Sequence, residues 1–158
     1  RVAEFRNHMG NIMRRIGRVQ QAEAGHREAL AMLATLASLD ASNQEVMFEL
    51  ARTKILLAQC ADALGAPDAR QQMVAAVDEL EAVLNAEDEA RLRVPYLEWY
   101  AKGLLLVDKR DAARIVLADL SQRRVRNREL YEMAEARGLL SPPAIKFQLR
   151  VRAAPPSP

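Results

Sequence analysis

The chain has 158 residues, about one domain's length, enough to bury roughly two thirds of the surface its unfolded form exposes. Half its residues are hydrophobic by a wide count but only 4% are aromatic; Ala and Leu dominate and β-branched residues are thinly spread, which favours helices packed on helices over a sheet. The net charge of +2 hides an uneven spread, eleven acids against three bases in residues 40–90 (−8) and eight bases against three acids in 120–158 (+5), a polarisation that steers partners but is too weak to imply nucleic acid.

In chain order, Val2, Phe5, Met9, Ile12, Met13 and Ile16 recur at helical spacing and form one apolar stripe. Gly17 stops that helix, and a reversal around Arg18 leads into a second run whose face carries Ala22, Ala29, Leu30, Leu33, Leu36 and Ala37. It ends near Leu39, where Asp40-Ala-Ser-Asn43 has turn and N-cap chemistry. A third helix is predicted from Gln44 to Leu64, with Val46, Met47, Leu50, Ala51, Ile55, Leu57, Ala58 and Ala61 inward. Gly65-Ala-Pro67-Asp68 breaks it, and Asp68 is placed to cap a fourth helix through Met73, Val74, Val77, Leu80 and Leu84. The fifth, Val94–Val107, tolerates Pro95 because it falls in the first turn. A sixth carries Ala113, Val116, Leu117 and Leu120. Asn127 caps a last helix, Arg128–Arg137, ended by Gly138 where a left-handed residue is wanted.

Beyond Ser141-Pro-Pro143 the period changes. Ile145, Phe147, Leu149 and Val151 alternate with polar neighbours, which predicts a short strand over 145–151 within a linker-like extension, 141–158. The lone Cys60 excludes an internal disulfide and, inside ILLAQCADAL, reads as a buried, inert thiol. No apolar run approaches the ~20 residues of a membrane span and no signal peptide is visible, so a cytoplasmic chain without membrane insertion is expected. A first residue of Arg points to a fragment of a longer protein.

Three helix pairs of similar size are an internal repeat. Residues 3–36 resemble a tetratricopeptide repeat, the 34-residue helix–turn–helix unit. Met9-Gly10 matches its Leu-Gly step, Met13 its aromatic position, Gly17 the glycine between helices, Ala22 the small residue of the second helix and Ala29-Leu30 the closing pair. His26 stands where the family has Phe or Tyr, and Ala34 where it often has Pro. A second unit fits at Leu57-Ala58, Ala61, Gly65, Val74 and Val77, with Arg70 at the small position. A third fits at Tyr100-Ala101, Leu104, Asp108, Ala113, Leu117 and Leu120, with Asp in place of the glycine. The resemblance implies an all-α fold over residues 1–140: about three antiparallel helix pairs stacked into a superhelix, with a C-terminal capping helix. First helices would line a concave face that takes a protein or peptide.

On that face the exposed polar residues would be Asn7, Asn11, Arg14 and Arg15, then Arg52, Gln59, Glu98 and Lys102. Asn pairs with a peptide backbone through both donor and acceptor, and Arg forks onto a carboxylate. Family members that clamp a C-terminal carboxylate use Lys where this chain has Asn7 and polar residues where it has Ile55-Leu56, so such a clamp is disfavoured. His8 and His26 have no cysteine or carboxylate at metal spacing, and no phosphate loop, HExxH or GxSxG occurs. No metal, no cofactor and no catalysis are expected. The reading is a non-enzymatic interaction scaffold, similar to segments appended to bacterial signalling kinases and winged-helix regulators. Two alternatives stand beside it. One is self-association as a homodimer, the acidic middle meeting the basic C-terminal part of a second copy and residues 145–151 exchanged as a strand. The other is nucleic-acid contact through the basic run 123–128, which lacks aromatic interleaving.

Overall fold

The computed structural model describes residues 1–86 and 93–139. They form seven α-helices: α1 (Val2–Arg15), α2 (Val19–Leu39), α3 (Gln44–Ala63), α4 (Ala69–Asn85), α5 (Val94–Leu106), α6 (Arg110–Gln122) and α7 (Arg128–Glu135). No strand occurs among the described residues, and the fold is all-α. The strand expected at 145–151 and its 141–158 extension lie outside the described residues. Among those described, no helix is long and apolar enough to cross a membrane.

The helices pair in sequence, α1 with α2, α3 with α4 and α5 with α6. The first helix of each pair also meets the first helix of the next, α1 on α3, α3 on α5 and α5 on α7.

Each pair turns on one residue in the left-handed region: Gly17 (φ 81), Gly65 (φ 73) and, in the third, Asp108 (φ 61). The same two bonds close all three turns. The residue after each donates to the carbonyl five positions back (Arg18 to Met13, 2.8 Å; Ala66 to Ala61, 2.9 Å; Lys109 to Leu104, 2.9 Å), and the turn residue donates to the carbonyl three back. This arrangement satisfies carbonyls that a helix end leaves orphaned. Asp is among the few residues that tolerate the left-handed well, and Asp108 also pairs with Arg110 at 2.8 Å. The same closure ends α6, where the left-handed residue is Arg124 (φ 58).

Asn43 and Asn127 cap α3 and α7 through backbone N–H groups of Val46 (3.2 Å) and Leu130 (3.1 Å). Asp68 sits at the N-cap position of α4 but does not cap it; its carboxylate accepts from the Gln72 amide at 2.8 Å. Arg70, assigned from sequence to the small position of the second unit, is exposed, and Ala69 is buried there instead. The freed guanidinium forks onto the carbonyls of Leu106 and Val107, both at 2.7 Å, and so ties α4 to the end of α5.

One core cluster runs from α3 to α7, with Ile55, Val77, Leu80, Leu104, Leu120 and Leu130 almost wholly enclosed. Phe48 and Tyr96 stack across α3 and α5 with centroids 3.8 Å apart. The first pair docks differently, through a small cluster of Ala3, Ala29 and Leu33 against Val46 and Leu50. The side of α1 that faces inward carries Ala3, Asn7 and Gly10, while Val2, Phe5, Ile12 and Ile16 of the apolar stripe face outward. Close approach explains the choice: a Cβ built on Gly10 would lie 2.5 Å from the His26 ring, so nothing larger than hydrogen fits at that crossing.

Two substitutions test these statements by thermal denaturation. Gly10→Ala gains helix propensity but must displace the enclosed His26 ring, so a net loss of about 1–3 kcal/mol is expected. Arg124→Gly relieves the left-handed backbone at an exposed site; a gain of about 1 kcal/mol, or ~2–4 °C in Tm, is expected.

Candidate functional site

The surface shared by α1, α3, α5 and α7 gathers most of the polar residues singled out in the sequence. Asn7 is the exception and a correction: it is fully buried, not exposed on a groove. Its amide donates to Thr53 Oγ1 (2.7 Å), and its Oδ1 lies 2.9 Å from His26 Nδ1. Thr53 in turn donates to the Glu49 carbonyl at 2.7 Å. The reason is the narrow α1–α2 crossing made by Gly10, Ala22 and Ala29, which brings position 7 within reach of both neighbouring helices.

Four more of the named residues are held by partners inside the chain. Arg52 grips the Glu49 carboxylate with one nitrogen at 2.7 and 2.9 Å. Its guanidinium lies 4.9 Å from the centroid of Trp99, as does the Lys102 ammonium. Lys102 donates to Glu129 on α7 at 2.8 Å, and the other Glu129 oxygen accepts from Arg15 on α1 at 2.7 Å. Glu98 accepts from the Asn127 amide at 3.0 Å. The hydrogen bond from Lys102, with its charge and that of Arg15, holds the Glu129 carboxyl below the usual range against partial burial. One chain of contacts thus links all four helices, from Glu49 through Arg52, Trp99, Lys102 and Glu129 to Arg15.

Asn11, Arg14 and Gln59 remain, half-buried on the same side. Arg14 and Gln59 line a cleft of about 250 Å³, with Asp62 of α3, Arg70 and Met73 of α4 and Leu106 of α5 completing it. Within it Arg14 Nε and Gln59 Oε1 are both buried without a hydrogen-bond partner in the chain, a state that desolvation makes costly unless something else supplies the bond. Two residues that line this small, half-apolar recess therefore each keep one polar atom, a donor and an acceptor, that the chain itself leaves unpaired.

Sequence reasoning missed Glu129, Asn127, Asp62 and Arg70 as parts of this surface. Glu129 and Asn127 belong to the helix read as a cap, and Arg70 to a helix expected to lie behind the face. In the basic run, Arg123 pairs with Asp119 at 3.0 Å and Arg128 with Glu132 at 2.6 Å. Among the described residues no group of three or more His, Cys, Asp or Glu is placed to hold a metal. No family model, curated protein or solved structure matches the chain.

The buried cluster titrates. Burial, then the charges of Arg14 and Arg52, lowers the His26 pKa from 6.5 to about 4. The unfolded chain therefore binds this proton first, and stability rises with pH between about 4 and 6.5. Full stabilisation is present above pH 6.5 and is lost as pH falls, by on the order of 3 kcal/mol at the acid end. Urea titrations across that window are expected to show the slope, and His26→Phe to flatten it.

Proposed function

We propose that this chain is a non-catalytic scaffold that binds an extended segment of a partner protein along the surface of its first helices, seated at the Arg14–Gln59 cleft. The pairing of first helix with first helix, the three turns of one geometry and the repeat offsets in the sequence support a tetratricopeptide-like superhelix with that surface on its hollow side. By the same resemblance the chain serves as a docking module of a larger signalling or regulatory protein, bacterial in kind.

One observation carries the reading. Arg14 Nε needs an acceptor and Gln59 Oε1 needs a donor, and one residue of an extended segment offers both, its own carbonyl and N–H turned to the same side. Neighbouring charges add little pull of their own, because Glu49, Arg52, Lys102, Glu129 and Arg15 already satisfy one another. Main-chain recognition at one recess is what this leaves, with Asn11 beside it able to extend the contact.

Peptides enriched from a random displayed library on the intact chain test it, their affinities measured by fluorescence anisotropy. Arg14→Ala combined with Gln59→Ala is expected to weaken them at least tenfold. Asp111→Ala with Arg114→Ala, an exposed pair on α6, is expected to leave them unchanged. Equal affinity for the Arg14/Gln59 variant would overturn the site.

A further inference from the structure

The recess lined by Arg14 and Gln59 lies where three first helices end. Arg14 is in the last turn of α1, Gln59 and Asp62 are near the end of α3, and Leu106 is the last residue of α5. A helix C-terminus carries partial negative charge and is stabilised by a cation beside it. Two of the three ends have one. Arg14 and Arg15 close α1, and Arg70 of α4 donates to the carbonyls of Leu106 and Val107 at the end of α5, both at 2.7 Å. The last turn of α3 has no basic residue; it holds Asp62, which adds a like charge to that end.

Asp62 also differs from the other carboxylates of its helix. Glu45 lies 3.8 Å from Arg93 and Glu49 2.7 Å from Arg52. Asp62 makes no ion pair or side-chain hydrogen bond with any described residue, although Arg14 and Arg70 line the same recess. It follows Gln59 by three residues, so both side chains leave one face of α3. Gln59 Oε1 is itself an acceptor without a donor. That face thus offers two unused acceptors, one of them charged. A backbone N–H carries one hydrogen and satisfies Gln59 only. An α-ammonium carries three hydrogens and a positive charge at the same nitrogen.

We propose that the segment held at this recess is an amino terminus. Its α-ammonium donates to Gln59 Oε1 and to the Asp62 carboxylate at the end of α3, and the carbonyl of the same residue accepts from Arg14 Nε. Arg14 is on the carbonyl side of that residue, so its charge meets an oxygen and not the ammonium. The first side chain lies on the apolar lining from Ala69, Met73 and Leu106, and a volume of about 250 Å³ suits a medium-sized one such as leucine or methionine. This rests on the reading of the cleft given above and adds to it which part of the partner is bound.

The test uses peptides enriched on the intact chain from a random library displayed with free amino ends. Each is resynthesised free and N-acetylated, and anisotropy reads the affinities. Acetylation is expected to cost at least tenfold. Asp62→Asn, at an exposed position, is expected to weaken the free peptide about threefold and to leave the acetylated one unchanged. Affinity of the free peptide is expected to fall as pH rises above about 8, where an α-amino group loses its proton; the acetylated peptide shows no such fall. Equal affinity of the two forms, with Arg14→Ala and Gln59→Ala together still weakening both, would overturn the amino terminus and leave the cleft standing. A loss that follows replacement of a peptide lysine by norleucine, and not acetylation, would do the same by moving the ammonium to a side chain. A free peptide indifferent to Asp62→Asn would remove Asp62 from the site. No effect of the Arg14/Gln59 variant would overturn the cleft and this inference with it.

Discussion

The contact on which the first helix pair depends is polar and deeply enclosed: Asn7 of α1 joins His26 of α2 and Thr53 of α3. Elsewhere the pairs adhere through a continuous aliphatic core. Here the apolar cluster is three small or medium residues with two neighbours, and it supplies far less burial. The hydrogen bonds are directional where hydrophobic burial is not, so they fix the register of α1 against both neighbours. Gly10 permits that geometry by removing the one atom that would collide with the imidazole. The position of Arg14, one turn further along α1, follows from it, and so does the shape of the cleft.

The surface shared by α1, α3, α5 and α7 is charged but largely self-neutralised. Arg52 and Lys102 flank Trp99, and each has a carboxylate, Glu49 or Glu129. The Arg15–Glu129 pair is exposed on both sides and contributes little to stability, whereas Arg52 and Glu49 are mostly buried. The effect of these pairs is to hold long side chains in one arrangement across α3, α5, α7 and α1.

Much of the fold could be read from the residues, because helix periodicity and turn chemistry are local. Gly17 and Gly65 announce their turns, and Asn43 and Asn127 announce their helices. Asp108 performs the turn that the glycines perform and was legible only through the repeat offsets, while Arg124 gives no local signal at all. Where the reading failed, the cause was the third dimension. Asn7 looks like a surface residue by composition, and only the α1–α2 crossing distance makes it core. Val2, Phe5, Ile12 and Ile16 look like core by period, yet α1 turns its small residues inward because His26 leaves no room for large ones. Arg70 and Ala69 differ by one residue, 100° on a helix wheel, and the longer Gly65–Asp68 turn decided between them. At the candidate site, Arg14 and Gln59 could be singled out from sequence as polar residues of first helices. Their convergence with Asp62 and Arg70 was not, since those four residues come from three helices.

Trp99 is the only tryptophan in the chain, and it stands between two cations, Arg52 and Lys102. Indole emission shifts with the charges around it, so the protein carries one optical probe, placed by the fold beside the surface of interest. Its signal is free of contributions from other indoles, so a change at this surface is read without a label.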